Sequence, residues 1–239
     1  MSDLINSCLT LFADFLVVTL FIFSAGFVHS EEKSYGTELP DALDDNGWEL
    51  MIDEAGTQIY KRDWPGSSFV AVKAVQMVES SVSNILANYS DIDAFPDWVE
   101  DMEDAYLVEP FDETRSRKVY MRMGLPWPLQ DRDMVAGQQL TQDSQTKVVR
   151  IREWNEGETL PKNEGVMRIP RLNSEVVLYP ESKTLTKMIW QGHNEPGGLI
   201  PPFLVNWLIE NVFYKSMKSM KDRYEDPEFR KELDWVIDY

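Results

Sequence analysis

Few residues in this chain have the types and spacing that bond chemistry needs. Cys8 is the only cysteine, and His29 and His193 are the only histidines. Thiolate zinc sites, disulfide frameworks and Cys–His dyads are therefore excluded. His193 stands in Gln191-Gly192-His193-Asn194-Glu195. A general base there would need an orienting carboxylate and a substrate within reach, and the segment reads instead as a polar turn. The densest carboxylates are Asp91, Asp93, Asp97, Glu100, Asp101, Glu103 and Asp104. A calcium loop starting at Asp91 fails its template. Position five is Phe95, position six is Pro96 where glycine is needed, and position twelve is Met102. The cluster reads as a solvated acidic face. Asn88-Tyr89-Ser90 matches a glycosylation sequon, a three-residue pattern that also arises by chance. Gly197-Gly198 is too short for a phosphate loop and no lysine follows. No catalytic residue, metal ligand or cofactor is expected.

Composition narrows the partners. The 239 residues, 43% hydrophobic and 12% aromatic, suffice for one domain with a sizeable core. A net charge of −18 excludes nucleic acid, whose phosphates would be repelled along most of the surface. It also opposes electrostatic docking on anionic membranes, so any membrane contact must be apolar and local or use a minority basic patch. Lys215, Lys218 and Lys221 form one such stripe, or an ordinary solvated helix face.

Residues 1–30 differ in kind. Phe15 to Phe27 is largely apolar, and Val28-His29-Ser30 before Glu31-Glu32 offers small residues for cleavage, the pattern of a secretory signal peptide. The n-region carries Asp3 and no Lys or Arg, which leaves an uncleaved anchor over residues 9–28 as the alternative. Asp14 would cost such an anchor about 2.5–3.5 kcal/mol. The expected location is secreted or periplasmic, or membrane-anchored in the alternative. Removing residues 1–30 takes away Asp3 and Asp14 and no basic residue, so the net charge becomes −16.

Residues 31–46 are polar and read as a leader or short first helix. Strands are expected at Trp48–Met51 and Thr57–Arg62 about the Glu54-Ala55-Gly56 turn, and at Phe69–Val78. Ser80 or Ser81 caps a helix through Asn88, and Ile92–Met102 reads as a short helix interrupted near Pro96. Strand patterns follow at 104–109, 116–123, 133–142, 146–154, 164–170, 174–179 and 184–191, with turns at Asp143-Ser144-Gln145 and Pro180-Glu181-Ser182. Short joins imply an antiparallel meander. A long amphipathic helix runs from Ile200 to about Tyr224, with Phe203, Trp207, Tyr214, Met217 and Tyr224 at helical spacing. The layout is α+β, with one domain over 47–228 and a tail over 229–239.

Period-two alternation puts Val119, Met121 and Met123 on one face of their strand, and Met134, Ala136, Gln138 and Leu140 on one face of the next. Thr186, Met188 and Trp190 share a face, and Val149, Ile151, Leu204 and Trp207 complete the candidate lining. Met-rich surfaces repack easily around variable apolar ligands, although the same residues suit a plain core.

Two stretches frame these strands. Gly124-Leu125-Pro126-Trp127-Pro128-Leu129-Gln130-Asp131-Arg132-Asp133 and Pro196-Gly197-Gly198-Leu199-Ile200-Pro201-Pro202-Phe203-Leu204-Val205-Asn206-Trp207 are apolar turns, each followed at once by a regular element. With these motifs the chain from about Trp48 to Tyr224 resembles a StAR-related lipid-transfer (START) domain, of the phosphatidylcholine-transfer-like branch. The resemblance implies a helix-grip fold, a curved antiparallel sheet around the last helix enclosing a hydrophobic tunnel for one lipid. It implies that Leu125, Trp127, Leu129, Leu199, Pro202 and Phe203 gate the tunnel and touch membranes. The family's better-known carriers have a buried arginine six residues after the arginine of the Arg-Asp pair; here that residue is Gln138, which cannot neutralise phosphate. A neutral lipid, sterol-like or fatty ligand gains ground. Trp154, Tyr179 and Trp190 are candidates for an aromatic cage around a choline-type cation. The implied protein is a monomer that binds a hydrophobic small molecule or lipid, meets membranes transiently, and moves its cargo between them. The alternatives are a cyclase- or hydrolase-like enzyme using the same cavity, and an anchored interaction module.

Overall fold

A computed structural model of the chain describes residues 38–198, 200, 204 and 207–237. Strands β1 (Glu49–Glu54), β2 (Thr57–Arg62) and β3 (Ala71–Val78) precede helix α1 (Val82–Ser90) and a 3-10 turn at Ile92–Asp97. Strands β4 (Met102–Glu109), β5 (Ser116–Met123), β6 (Arg132–Gln142), β7 (Val149–Asn155), β8 (Met167–Arg168), β9 (Asn173–Ser182) and β10 (Leu185–Gly192) follow. A π-helical turn at Ile209–Phe213 leads into helix α2 (Tyr214–Glu225). Among the described residues the strands form one sheet in the order β1-β2-β3-β10-β9-β7-β6-β5-β4, antiparallel throughout that path. Short β8 pairs parallel with β6 at Arg132 and Asp133, beyond the end of β7.

Alternation decides what each face buries. On the inner face Val119, Met121, Ala136, Leu140, Val149, Ile151, Val176, Leu178 and Met188 join one core with Val82, Ile85 and Leu86 of α1 and Met217, Met220 and Tyr224 of α2. Burying each large side chain of this kind is worth roughly 1.5–3 kcal/mol, which holds both helices in the concave face. Ser81 caps α1 by accepting from the Asn84 amide at 3.1 Å.

The outer face carries a second, smaller cluster in which Val177 and Ile189 are covered by Ala42. The described part of the expected leader is thus a cover built of turns, not a helix. Lys73 is fully buried beneath it, donating to Asp45 Oδ1 at 2.9 Å and the Asp44 carbonyl at 3.0 Å. Gln191 donates to the Pro40 carbonyl at 2.6 Å.

Four expectations shift. The helix expected over Ile92–Met102 is a 3-10 turn ending at Asp97, with Pro96 inside it and Met102 already in β4. The strand expected at 164–170 shortens to Met167–Arg168, because only the exposed end of β6 is left to pair. β9 runs through the expected turn to Ser182, with Pro180 opposite Thr186 beside a register shift that accommodates it. β7 starts at Val149, since Asp143 Oδ1 organises the preceding turn through the Gln145 and Thr146 amides.

Candidate functional site at the mouth of the helix grip

The first lip follows β5. Gly124 donates to the Asp101 carbonyl at 2.8 Å, and a Cβ there would lie 2.6 Å from the Glu103 carboxylate. Leu125 and Leu129 are half-buried, the Trp127–Pro128 peptide is cis, and Trp127 is 92% exposed. The second lip is Pro196-Gly197-Gly198, whose glycines have φ of +70° and +68°, a region that disfavours other residues. Leu199, Pro202 and Phe203 lie outside the described residues, as do Pro201 and Asn206. Leu204 is half-buried and Trp207 is 38% exposed.

The first lip, far away in sequence, faces the last helical segment. A cleft of about 480 Å³ lies between Leu125 and Pro126 of the first lip, Met102 of β4, and Trp207 and Val212 of the last helical segment, with Asp101, Glu103 and Lys215 beside them. Met102, in the lining of the cleft, also packs against the inner core. Lys218 and Lys221 pair with Asp222 and Glu225, which leaves Lys215 as the one lysine of the expected stripe at the cleft.

Most of the candidate lining residues on the sheet are packed in the inner core. Met121, Ala136, Val149, Ile151 and Met188 are buried in one cluster, and Met134 and Trp190 pack against it. Trp190 sits 4.8 Å from Phe213 of the π-helical turn. Met123 is half-buried at the lip end of β5.

Gln138 does not stand alone. Arg117, Gln138, Glu153 and Ser174 are direct partners across β5, β6, β7 and β9, and form a continuous polar row on the inner face. Arg117 Nε donates to Gln138 Oε1 at 2.7 Å, Gln138 Nε2 to Glu153 Oε1 at 2.6 Å, and Ser174 Oγ to Glu153 Oε2 at 2.7 Å. Tyr89 of α1 donates to Glu153 Oε1 at 2.7 Å. Burial, then the Glu153 charge, raises the Tyr89 phenol well above its usual range, so it stays a donor. Arg117 reaches the Ser90 and Tyr89 carbonyls at 2.9 and 3.3 Å, a cation at the C-terminus of α1. Burial pulls the Arg117 pKa down, and Tyr89 and Glu153 oppose the shift. The positive charge missing at 138 is therefore present one strand away and compensated by Glu153. Sequence reasoning missed Arg117, Glu153, Ser174 and Tyr89. The signal was available, since Arg117 lies two residues before Val119 on the same face.

Other expectations are corrected. Trp154, Tyr179 and Trp190 form no cage: Tyr179 belongs to the outer cluster, Trp190 to the inner one. Trp154 lies on the outer face over Gly137, where a Cβ would come 2.4 Å from the indole. His193 is no solvated turn residue; it is buried and stacks on Trp64 at 4.8 Å with the rings 7° apart. Asn88 of the sequon is buried, with its side chain bonded to Asn84, the Phe229 carbonyl and Arg223.

Among the described residues, a ten-stranded open, predominantly antiparallel sheet packed on a C-terminal helix defines the class. The chain belongs to the START domain family, whose profile matches residues 31–228. Among its relatives, the uncharacterized protein PA1579 of Pseudomonas aeruginosa is 27% identical over 179 residues, 74% of this chain and 87% of that one. The phosphatidylcholine transfer protein of Bos taurus is 25% identical over 183 residues, 75% of this chain and 84% of that one. Among solved structures, a STAR-related lipid transfer protein fragment from Xanthomonas axonopodis superposes with a TM-score of 0.69 at 24% identity, over 76% of this chain and all of that one. Human STARD10 gives 0.66 at 15% identity, over 80% of this chain and 81% of that one. Membership in this family of lipid-transfer domains points to lipid binding.

Proposed function

We propose that the protein holds one hydrophobic molecule between the inner sheet face and the last helix, admits it between the lips, and exchanges it with membranes. The observation that carries this reading is the cleft in which Leu125 and Pro126 face Trp207 and Val212, with Met102, packed on the inner core, in its lining. Apolar burial at ~25 cal/mol per Å² supplies the affinity. Met121, Met134 and Met188 give a wall that re-forms around different chains. The polar row is formally neutral and Arg117 has its donors engaged by Gln138, Ser90 and Tyr89. It therefore offers no surplus cation to a phosphate and favours a neutral lipid, sterol-like or fatty ligand.

Membrane contact is apolar on this reading. Trp127 projects from the first lip and inserts at the interface, as indole does readily. The carrier works as a monomer. The N-terminal 30 residues act as a secretory signal, which places the mature protein outside the cytoplasm; the family match beginning at residue 31 supports a boundary there. N-terminal sequencing of the secreted form should start at Glu31. Mass spectrometry of the purified protein should show one neutral lipid per chain. A protein that emerges empty and takes up no lipid from vesicles would sink the carrier reading.

A further inference from the structure

Arg132, the first residue of β6, is 7% exposed and forms no ion pair among the described residues. Its guanidinium is spent on backbone carbonyls. Nε donates to the Pro196 carbonyl at 3.3 Å, Nη2 to the Gly197 carbonyl at 3.3 Å, and Nη1 to the Gln130 carbonyl. Gln130 belongs to the first lip, Pro196 and Gly197 to the second. No other hydrogen bond joins the two lips among the described residues. Met167 of β8 supports the glycines from below, 3.4 and 3.3 Å from where their Cβ atoms would be.

We propose that Arg132 is an acceptor-switched latch: bound to the second-lip carbonyls it holds the entrance shut, and a lipid phosphate that replaces them holds the entrance open. This rests on the carrier reading above. Separating the lips in water strips a covered cation of two acceptors, which favours the closed state. Both bonds to the second lip are long and their acceptors neutral. A phosphate presents charged oxygens that match the guanidinium fork, and such bonds are roughly twice as strong as neutral ones. A ligand that binds only the open state shifts the equilibrium by its differential affinity. Trp127, five residues away on the same lip, would seat the loop at the depth where phosphates lie.

The test reads lip opening directly, by hydrogen exchange of the peptide spanning the second lip in the full chain. It compares buffer, phosphatidylcholine vesicles and digalactosyldiacylglycerol vesicles, which are uncharged overall in both cases but carry phosphate in only one. The wild-type protein should exchange about tenfold faster with phosphatidylcholine than with the galactolipid. Arg132→Gln should exchange fast in all three conditions and lose the difference, and Arg132→Lys should fall between. Equal responses of the wild type to the two vesicles, or an Arg132→Gln protein as slow as wild type in buffer, would overturn the latch. If Arg132→Gln does not fold, the two-vesicle comparison on the wild type decides alone. A chain that opens selectively on phosphate but carries no lipid would keep the latch and remove the carrier reading; a chain that carries lipid without selective opening would do the reverse.

Discussion

The inner face of the sheet is closed by different means at its two ends. At the lip end the polar tie is one arginine holding backbone carbonyls beside two left-handed glycines. At the other end of β6, the C-terminal segment lies across the opening, held by side chains chosen for it. The Lys231 amide donates to Asn84 Oδ1 at 2.8 Å and the Leu233 amide to Ser83 Oγ at 2.7 Å. Gln142 exchanges two hydrogen bonds with the Ile237 backbone, at 2.8 and 3.1 Å. Arg115 stacks over Trp235 at 4.4 Å, and Leu233 and Val236 pack on the core. A depression of about 370 Å³ lies between Ser90, Phe111, Arg115, Leu140, Leu233 and Trp235. Buried side chains such as Ser83 and Asn84, each bonded to the C-terminal segment, are costly to separate, whereas the long, neutral bonds from Arg132 can be replaced by a charged acceptor. On the carrier reading proposed above, the rear stays shut and the front opens.

Breaking the sealed half should have the largest effect. Arg117→Leu leaves Glu153 charged and uncompensated inside the sheet and should cost about 3–5 kcal/mol, read from the urea midpoint. Adding Glu153→Leu should recover much of that loss; no recovery would show that Arg117 acts through something other than Glu153. Asn84→Ala removes bonds to Ser80, the Tyr224 carbonyl and the Lys231 amide, and should cost about 2–3 kcal/mol without changing lipid exchange in the remaining folded protein. Faster exchange in that variant would show the rear to be a door as well.

The effect of pH should be smaller and centred near the second lip. Burial holds the His193 pKa below its usual 6.5, against the opposing pull of Glu195. The unfolded chain therefore binds a proton first, so stability is full above about pH 6.5 and declines as pH falls from there toward the folded pKa. Thermal melts of His193→Gln should lack that step, leaving only the loss at lower pH as carboxylates such as Asp112 and Asp143, held down by hydrogen bonds, protonate. Smallest of all in stability, Trp127→Ala should change the urea midpoint by less than about 0.5 kcal/mol, yet slow transfer to vesicles severalfold. Unchanged transfer would remove Trp127 from the membrane contact.

The contrast between the ends also marks what the sequence could tell. The turns at 124–131 and 196–198 were legible, because proline and glycine together leave few options for the backbone. Period-two alternation identified Met121, Ala136 and Met188 as inward-facing. The rear seal was not legible. Nothing local marks Ser83, Asn84 and Asn88, because their partners come from the C-terminal segment, 140 or more positions away. The polar row failed for a related reason: its members are single residues on four strands, and only the pairing register aligns Arg117, Gln138, Glu153 and Ser174. The misplaced aromatic cage arose from judging Trp154 and Tyr179 by type when their parity assigns them to the outer face.

The most direct measurement clamps each end in turn and follows lipid exchange. In a Cys8→Ser background, Pro126→Cys with Asn211→Cys places a thiol on each side of the front cleft, and Gln142→Cys with Ile237→Cys does so at the rear. After reaction with a short bis-maleimide, the front clamp should stop exchange between vesicles while the rear clamp leaves its rate unchanged. Exchange that survives the front clamp, or stops with the rear one, would contradict the assignment of the lips as the entrance.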